Sequence, residues 1–86
     1  MSSSFVINID NEIGAVHFME LQNICHKVLT DDYNFKNSVA AYNNSIFFII
    51  HDDVDADTLG SCLNEIGRQI GIYMHDKKLT TTDTES

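Results

Sequence analysis

A chain of 86 residues is long enough for one small hydrophobic core and too short for two domains or a repeat array. Hydrophobic residues make up 43% of it and acids outnumber bases 13 to 5, so a globular protein with a formal charge of −8 is expected. That balance excludes direct nucleic-acid binding, because Lys27, Lys36, Arg68, Lys77 and Lys78 are too few and too scattered to neutralise a row of phosphates.

An anionic membrane surface should repel the chain for the same reason. Residues 1–4 lack the basic and apolar regions of a secretory leader, and the longest unbroken apolar run, residues 46–50, falls far short of a membrane span. Cys25 and Cys62 are then expected to be reduced thiols in a cytoplasmic protein. Isoleucine and asparagine are abundant, arginine occurs once and proline is absent, a usage that suits an AT-rich bacterial or phage genome. If the chain is phage-encoded, the expected compartment is the host cytoplasm.

In chain order, residues 4–9 alternate as a strand, with Phe5, Ile7 and Ile9 on one side and Val6 and Asn8 on the other. Over residues 15–30 the period changes. Phe18, Leu21, Cys25, Val28 and Leu29 make a helical stripe, and Asp31-Asp32 should fray its end by opposing the helix dipole. Residues 35–42 form a weaker strand, Asn43-Asn44-Ser45 a turn, and residues 45–51 the strongest strand, rich in branched and aromatic side chains. The acidic loop 52–57 offers Asp55 or Asp57 as a cap for a second helix, whose seam is Leu59, Leu63, Ile66 and Ile70. Gly71 reads as a helix stop and residues 72–78 as a last strand. Residues 80–86 carry no apolar side chain and should be a flexible acidic tail after a single domain spanning 1–79.

The order β-α-β-β-α-β predicts the ferredoxin-like class of α+β fold, a two-layer sandwich with two helices on one face of an antiparallel sheet ordered 4-1-3-2. In such a fold one sheet face meets water, yet the third strand is apolar on both sides: Ile46, Phe48 and Ile50 on one, Phe47 and Ile49 on the other. With Val6 and Tyr73 added, Phe47 and Ile49 define an expected self-association surface and a homodimer.

Among chemical motifs, Asp53, Asp55 and Asp57 match the first half of a calcium loop, but Thr58 stands where a glycine is needed and Asn64 where a bidentate glutamate is needed. The histidines and cysteines lack the paired spacing of a zinc site. Cys25-His26 are sequence neighbours that point about 100° apart on a helix, so no nucleophile–base pair forms. No enzyme, no metal and no cofactor are therefore expected. Residues 5–9 and Phe47-Phe48 stand where RNA-recognition modules place stacking residues, but Asn43-Asn44-Ser45 replaces the basic residues expected there, so the likeness is one of topology.

What remains is a small acidic protein-binding module. Its expected partner is a basic or nucleic-acid-binding protein, which it would inhibit by presenting Asp31, Asp32, Asp52, Asp53, Asp55 and Asp57 in place of DNA phosphates. The alternative is a regulatory domain that binds a metabolite or divalent cation through the 51–57 loop.

Overall fold

The computed structural model describes residues 2–10 and 12–79. Strand β1 (Ser3–Asn8) leads to helix α1 (Gly14–Lys27), which passes into a π-helical turn (Val28–Asp32). Strands β2 (Asn37–Tyr42) and β3 (Ser45–Ile50) form a hairpin, and helix α2 (Ala56–Asp76) follows. The protein is of the α+β class, with a three-stranded antiparallel sheet ordered β1-β3-β2 and two helices.

The hairpin turn is set by its two asparagines. Asn43 and Asn44 have φ of 53° and 66°, the left-handed pair that a two-residue hairpin loop requires and that asparagine tolerates. Asn44 also ties in the neighbouring strand: its side chain donates to the Ile9 carbonyl at 2.8 Å, and its own carbonyl accepts from the Ile9 N–H at 3.0 Å.

One sheet face and the helices enclose the core. Ile46, Phe48 and Ile50 from β3 meet Leu21 and Cys25 of α1, Val28 and Leu29 of the π turn, and Cys62, Ile66 and Ile70 of α2. Phe5 stacks on Phe48 with ring centroids 5.2 Å apart. The stripe expected for the first helix is thus the buried one. Its end differs from expectation: the helix widens at Val28, so that Tyr33 N–H reaches back to the Val28 carbonyl at 3.2 Å, and the adjacent Val28 and Leu29 are both buried. Asn34, at φ 56°, then turns the chain toward β2.

The main correction concerns the C-terminal part. Gly71 does not stop the second helix, and the fourth strand expected at residues 72–78 does not form. The apolar seam continues past Ile70 at helical spacing to Tyr73 and Met74, which pack on the core, while Ile72 points outward. The helix instead ends in a Schellman motif built on a lysine. Lys78 lies at φ 58°, its N–H bonds to the His75 carbonyl, and Leu79 N–H bonds to the Met74 carbonyl at 2.8 Å. The sheet therefore contains no β4 next to β1, and the βαββαβ order is not completed among the described residues. The tail assigned to 80–86 lies outside the described residues.

Three glycines lie inside α2, and a methyl group added at Gly60, Gly67 or Gly71 would meet nothing within 4 Å. The first helix does not use this space. Gly60→Ala should therefore raise stability by about 1 kcal/mol through helix propensity alone. A thermal melt should show a rise of about 4–8 °C, and a fall would reveal a contact at Gly60 that the fold does not contain.

Candidate functional site

The chain direction decides which acids meet. β1 and β2 both start, and β3 ends, at one end of the sheet, since Ser3 and Asn37 both pair with Ile50. The π turn delivers Asp31 and Asp32 to that end just before β2, and the loop after β3 delivers Asp52, Asp53 and Asp55 there just before α2, whose first turn adds Asp57. Two acidic segments far apart in sequence therefore share one pole of the molecule, and α2 packs against the π turn.

Hydrogen bonds hold part of this array. Asp52 Oδ2 accepts from the Lys36 backbone N–H at 2.8 Å, and His51 N–H donates to the Lys36 carbonyl at 2.8 Å, so the loop is pinned to the strand before it. Asp55 caps α2: one carboxylate oxygen accepts from Thr58 N–H at 3.1 Å and the other from the Thr58 hydroxyl at 2.7 Å. Those bonds hold the Asp55 carboxyl below its ordinary pKa. Asp57 lies in the first turn, where the helix dipole favours it. Asp31 and Asp32, by contrast, are exposed at the C-terminal end of a helix, where the dipole opposes them. An exposed and locally disfavoured pair of charges at that position gains from any cation brought near.

The field extends along α2. The Tyr33 phenol is held above its ordinary pKa, first by desolvation and then by Cys62, Glu65 and Asp32. Glu65 itself is held down to about 2 by hydrogen bonds from Arg68 and Gln69. Arg68 grips it with two bonds, at 3.0 Å and 2.6 Å, so the chain's one arginine is already engaged with a carboxylate. The folded-state pKa of Glu65 is depressed from 4.5, so its stabilising contribution is present above that value and is lost as pH falls toward 2. Acid titration of the urea midpoint should show Glu65→Gln and the parent chain converging as pH drops through this window. Parallel curves down to about pH 2 would show that the grip contributes nothing.

The acidic loop does not converge on a point. Asp55 spends both oxygens on its own helix, and among the described residues no three His, Cys, Asp or Glu side chains are arranged to hold a metal ion. Cys25 and Cys62 are buried in the core between the helices. Burial, and secondarily Cys62, pushes the Cys25 thiol up to about 12, which makes it a poor nucleophile.

The expected self-association residues are only partly brought together. Val6, Phe47 and Ala40 are cross-strand neighbours on the open sheet face, and Ile49 is next in line on β3. Val6 and Phe47 are 49% and 43% exposed, so an apolar strip does cross this face. Tyr73 does not belong to it. It sits on α2, where its hydroxyl meets His17 Nδ1 at 2.8 Å and links the two helices.

Three features had no clear signal in the sequence. Ser38 Oγ and His51 Nε2 lie 3.0 Å apart, joining β2 to the end of β3, but both are exposed, and among the described residues no third group holds the imidazole as a nucleophile–base pair requires. A concavity of about 310 Å³ between α1 and the hairpin turn is lined by Phe18, Met19 and Tyr42 among others. A larger apolar groove, about 450 Å³, runs between β1 and the glycine-bearing side of α2.

Among the described residues no helix is long and apolar enough to cross a membrane. No protein-family model, curated protein or solved structure matches this chain.

Proposed function

We propose that this chain is a non-enzymatic binding module whose acidic pole engages a basic surface of a partner protein, a surface that otherwise holds nucleic acid. The observation that carries the reading is the meeting of Asp31 and Asp32 with Asp52, Asp53, Asp55 and Asp57 at one end of the sheet. Carboxylates arrayed on a folded surface resemble the spaced phosphates of a nucleic-acid backbone, and they bind without the ordering cost of a mobile segment. Binding of this kind would inhibit the partner by exclusion. It belongs in the cytoplasm, or in a host's cytoplasm for a phage-encoded chain.

The frame is read as a ferredoxin-like βαββαβ arrangement without its last strand among the described residues, which leaves the place beside β1 to another chain. The direct experiment is competition: a nucleic-acid-binding protein captured by this chain is assayed on a labelled duplex, with and without the chain. Release of the duplex, abolished when the six aspartates are changed to Asn, supports the proposal. A captured protein that holds its duplex unchanged overturns it.

A further inference from the structure

We infer that two copies of this chain pair through the free edges of their β1 strands, giving a two-fold dimer with one continuous six-stranded sheet. This rests on the β1 edge and not on the acidic pole, so it stands or falls apart from the function proposed above.

The outer edge of β1 has no strand partner among the described residues. Which groups face outward follows from the pairing. Ile9 N–H points at β3, where it bonds the Asn44 carbonyl at 3.0 Å, and peptide groups alternate sides along a strand. The N–H and C=O groups of Ser4, Val6 and Asn8 therefore face away from β3. The strand also lacks the usual defences of an edge: the run SSFVIN holds no lysine, no proline and no inward-pointing charge.

The space beside this edge has the form a strand would need. The groove of about 450 Å³ is floored by Phe5, Ile7, Ile66 and Ile70 and flanked by Gly67 and Gly71, and none of its lining residues is charged. On a chain of charge −8 this is a neutral strip. An added methyl at either glycine would meet nothing within 4 Å, so a second backbone can approach α2 closely there.

The second copy is the occupant that satisfies both faces and both charges. In an antiparallel pair, residues directly opposite share a sheet face, so an allowed register must keep odd positions opposite odd ones. Centring on Val6 achieves this over the whole strand. Val6 meets its own symmetry mate, Phe5 meets Ile7 and Ser4 meets Asn8. Val6 and the Ser4–Asn8 pairs then exchange the outward backbone bonds, while Phe5 and Ile7 extend the core face. The antiparallel direction also sends the two acidic poles to opposite ends of the assembly, because β1 starts at that pole. Long-range repulsion between the copies is thereby kept small. The contact is a strip about 20 Å long and about 20 Å deep, one sheet layer and one helix layer. Its flat projection is on the order of 400 Å² per copy, about 800 Å² in all and below the roughly 1,200 Å² of a standard stable interface, so a weak dimer, formed at tens of micromolar or above, is expected.

The test uses two helix variants that make the same charge change. Gly67→Glu places a carboxylate in the groove, opposed by its symmetry mate, while Gly60→Glu places one on the same helix outside it. Glutamate is a better helix former than glycine, so both should fold, and circular dichroism checks this. Sedimentation should report about twice 9.7 kDa for the parent chain and for Gly60→Glu. Gly67→Glu should dimerise about a hundredfold more weakly. Val6→Pro, which removes an outward N–H and spares those facing β3, should do the same. A parent chain that stays monomeric overturns the inference, as does a Gly67→Glu variant that remains dimeric. Dissociation by Phe47→Asp with Gly67→Glu unaffected also overturns it, since the dimer would then pack sheet face on sheet face.

Discussion

Phe48→Ala is expected to lower the stability of the fold by about 3–5 kcal/mol. Phe48 is 2% exposed, lies in the central strand and stacks on Phe5. Its ring belongs to one core cluster with side chains from both helices and from the π turn, which cannot collapse inward without leaving their own contacts. Truncating such a ring costs about 3–5 kcal/mol, the lost transfer energy plus the cavity left behind. A chain of 86 residues has roughly 4–13 kcal/mol in total. The variant should thus lose from about a quarter of its stability to all of it, and at the low end of the stability range it would be close to or past unfolding. The neighbouring Phe47→Ala is the control. Phe47 faces the other side of the sheet and is 43% exposed, so its truncation should cost about 1 kcal/mol or less in the monomer. Urea midpoints of the two variants, compared with the parent chain, decide the matter. Equal losses at the two positions would mean that the sheet faces are assigned wrongly.

The contrast between these two phenylalanines was legible in the sequence, because a strand alternates faces whatever the fold around it. So were the first helix stripe and the Asn43-Asn44 turn, each of which is set by residues close in sequence. The C-terminal half of α2 was misread for a physical reason. Glycine favours a helix end only where a left-handed residue is needed, and Gly71 is instead an exposed interior residue. The left-handed position fell to Lys78, a residue with no preference for it, so no local signal marked the true end. Tyr73 was drawn into the open sheet face by the same error. The continuing seam through Tyr73 and Met74 was the better guide, since burial of an apolar stripe holds a helix more firmly than propensity does.

The acidic site was half legible. Each cluster is visible as a run, and Asp55 could be read as a cap, but their meeting depends on chain direction in the sheet. Asp31-Asp32 and the 52–57 loop share a pole because α1 and β3 both run toward it, which is a property of the connections and not of either run. The π turn adds a detail that no pattern foretold. By holding Val28 and Leu29 in the core it fixes the two exposed aspartates that follow, so they are presented on an ordered segment.

Neutralising that pole should slow partner association by at least about tenfold at low ionic strength, with a smaller change in dissociation. The argument is one of field geometry. Charges gathered at one end of a small body create a potential that guides a basic partner from a distance, whereas the same number spread evenly would not. Salt at about 0.15 M reduces the screening length to about 8 Å, so the steering contribution should fall steeply as salt is raised. The acids are not equivalent. Asp55 caps α2 with both oxygens, and its loss should lower the melting temperature as well as the charge. Asp31, Asp32 and Asp57 make no side-chain hydrogen bond among the described residues, so their conversion to Asn should separate binding from stability. The comparison is with Asp83 and Glu85, which belong to residues 80–86 and carry the same sign of charge. Stopped-flow association with a captured nucleic-acid-binding partner, at two salt concentrations, provides the measurement. A rate that drops for the Asp31, Asp32 and Asp57 variant, holds for the Asp83 and Glu85 variant, and converges with the parent at high salt supports steering by the pole. Rates insensitive to salt and to every Asn change would move the contact to the apolar sheet face, where Val6, Phe47 and Ile49 offer a surface that binds without charge.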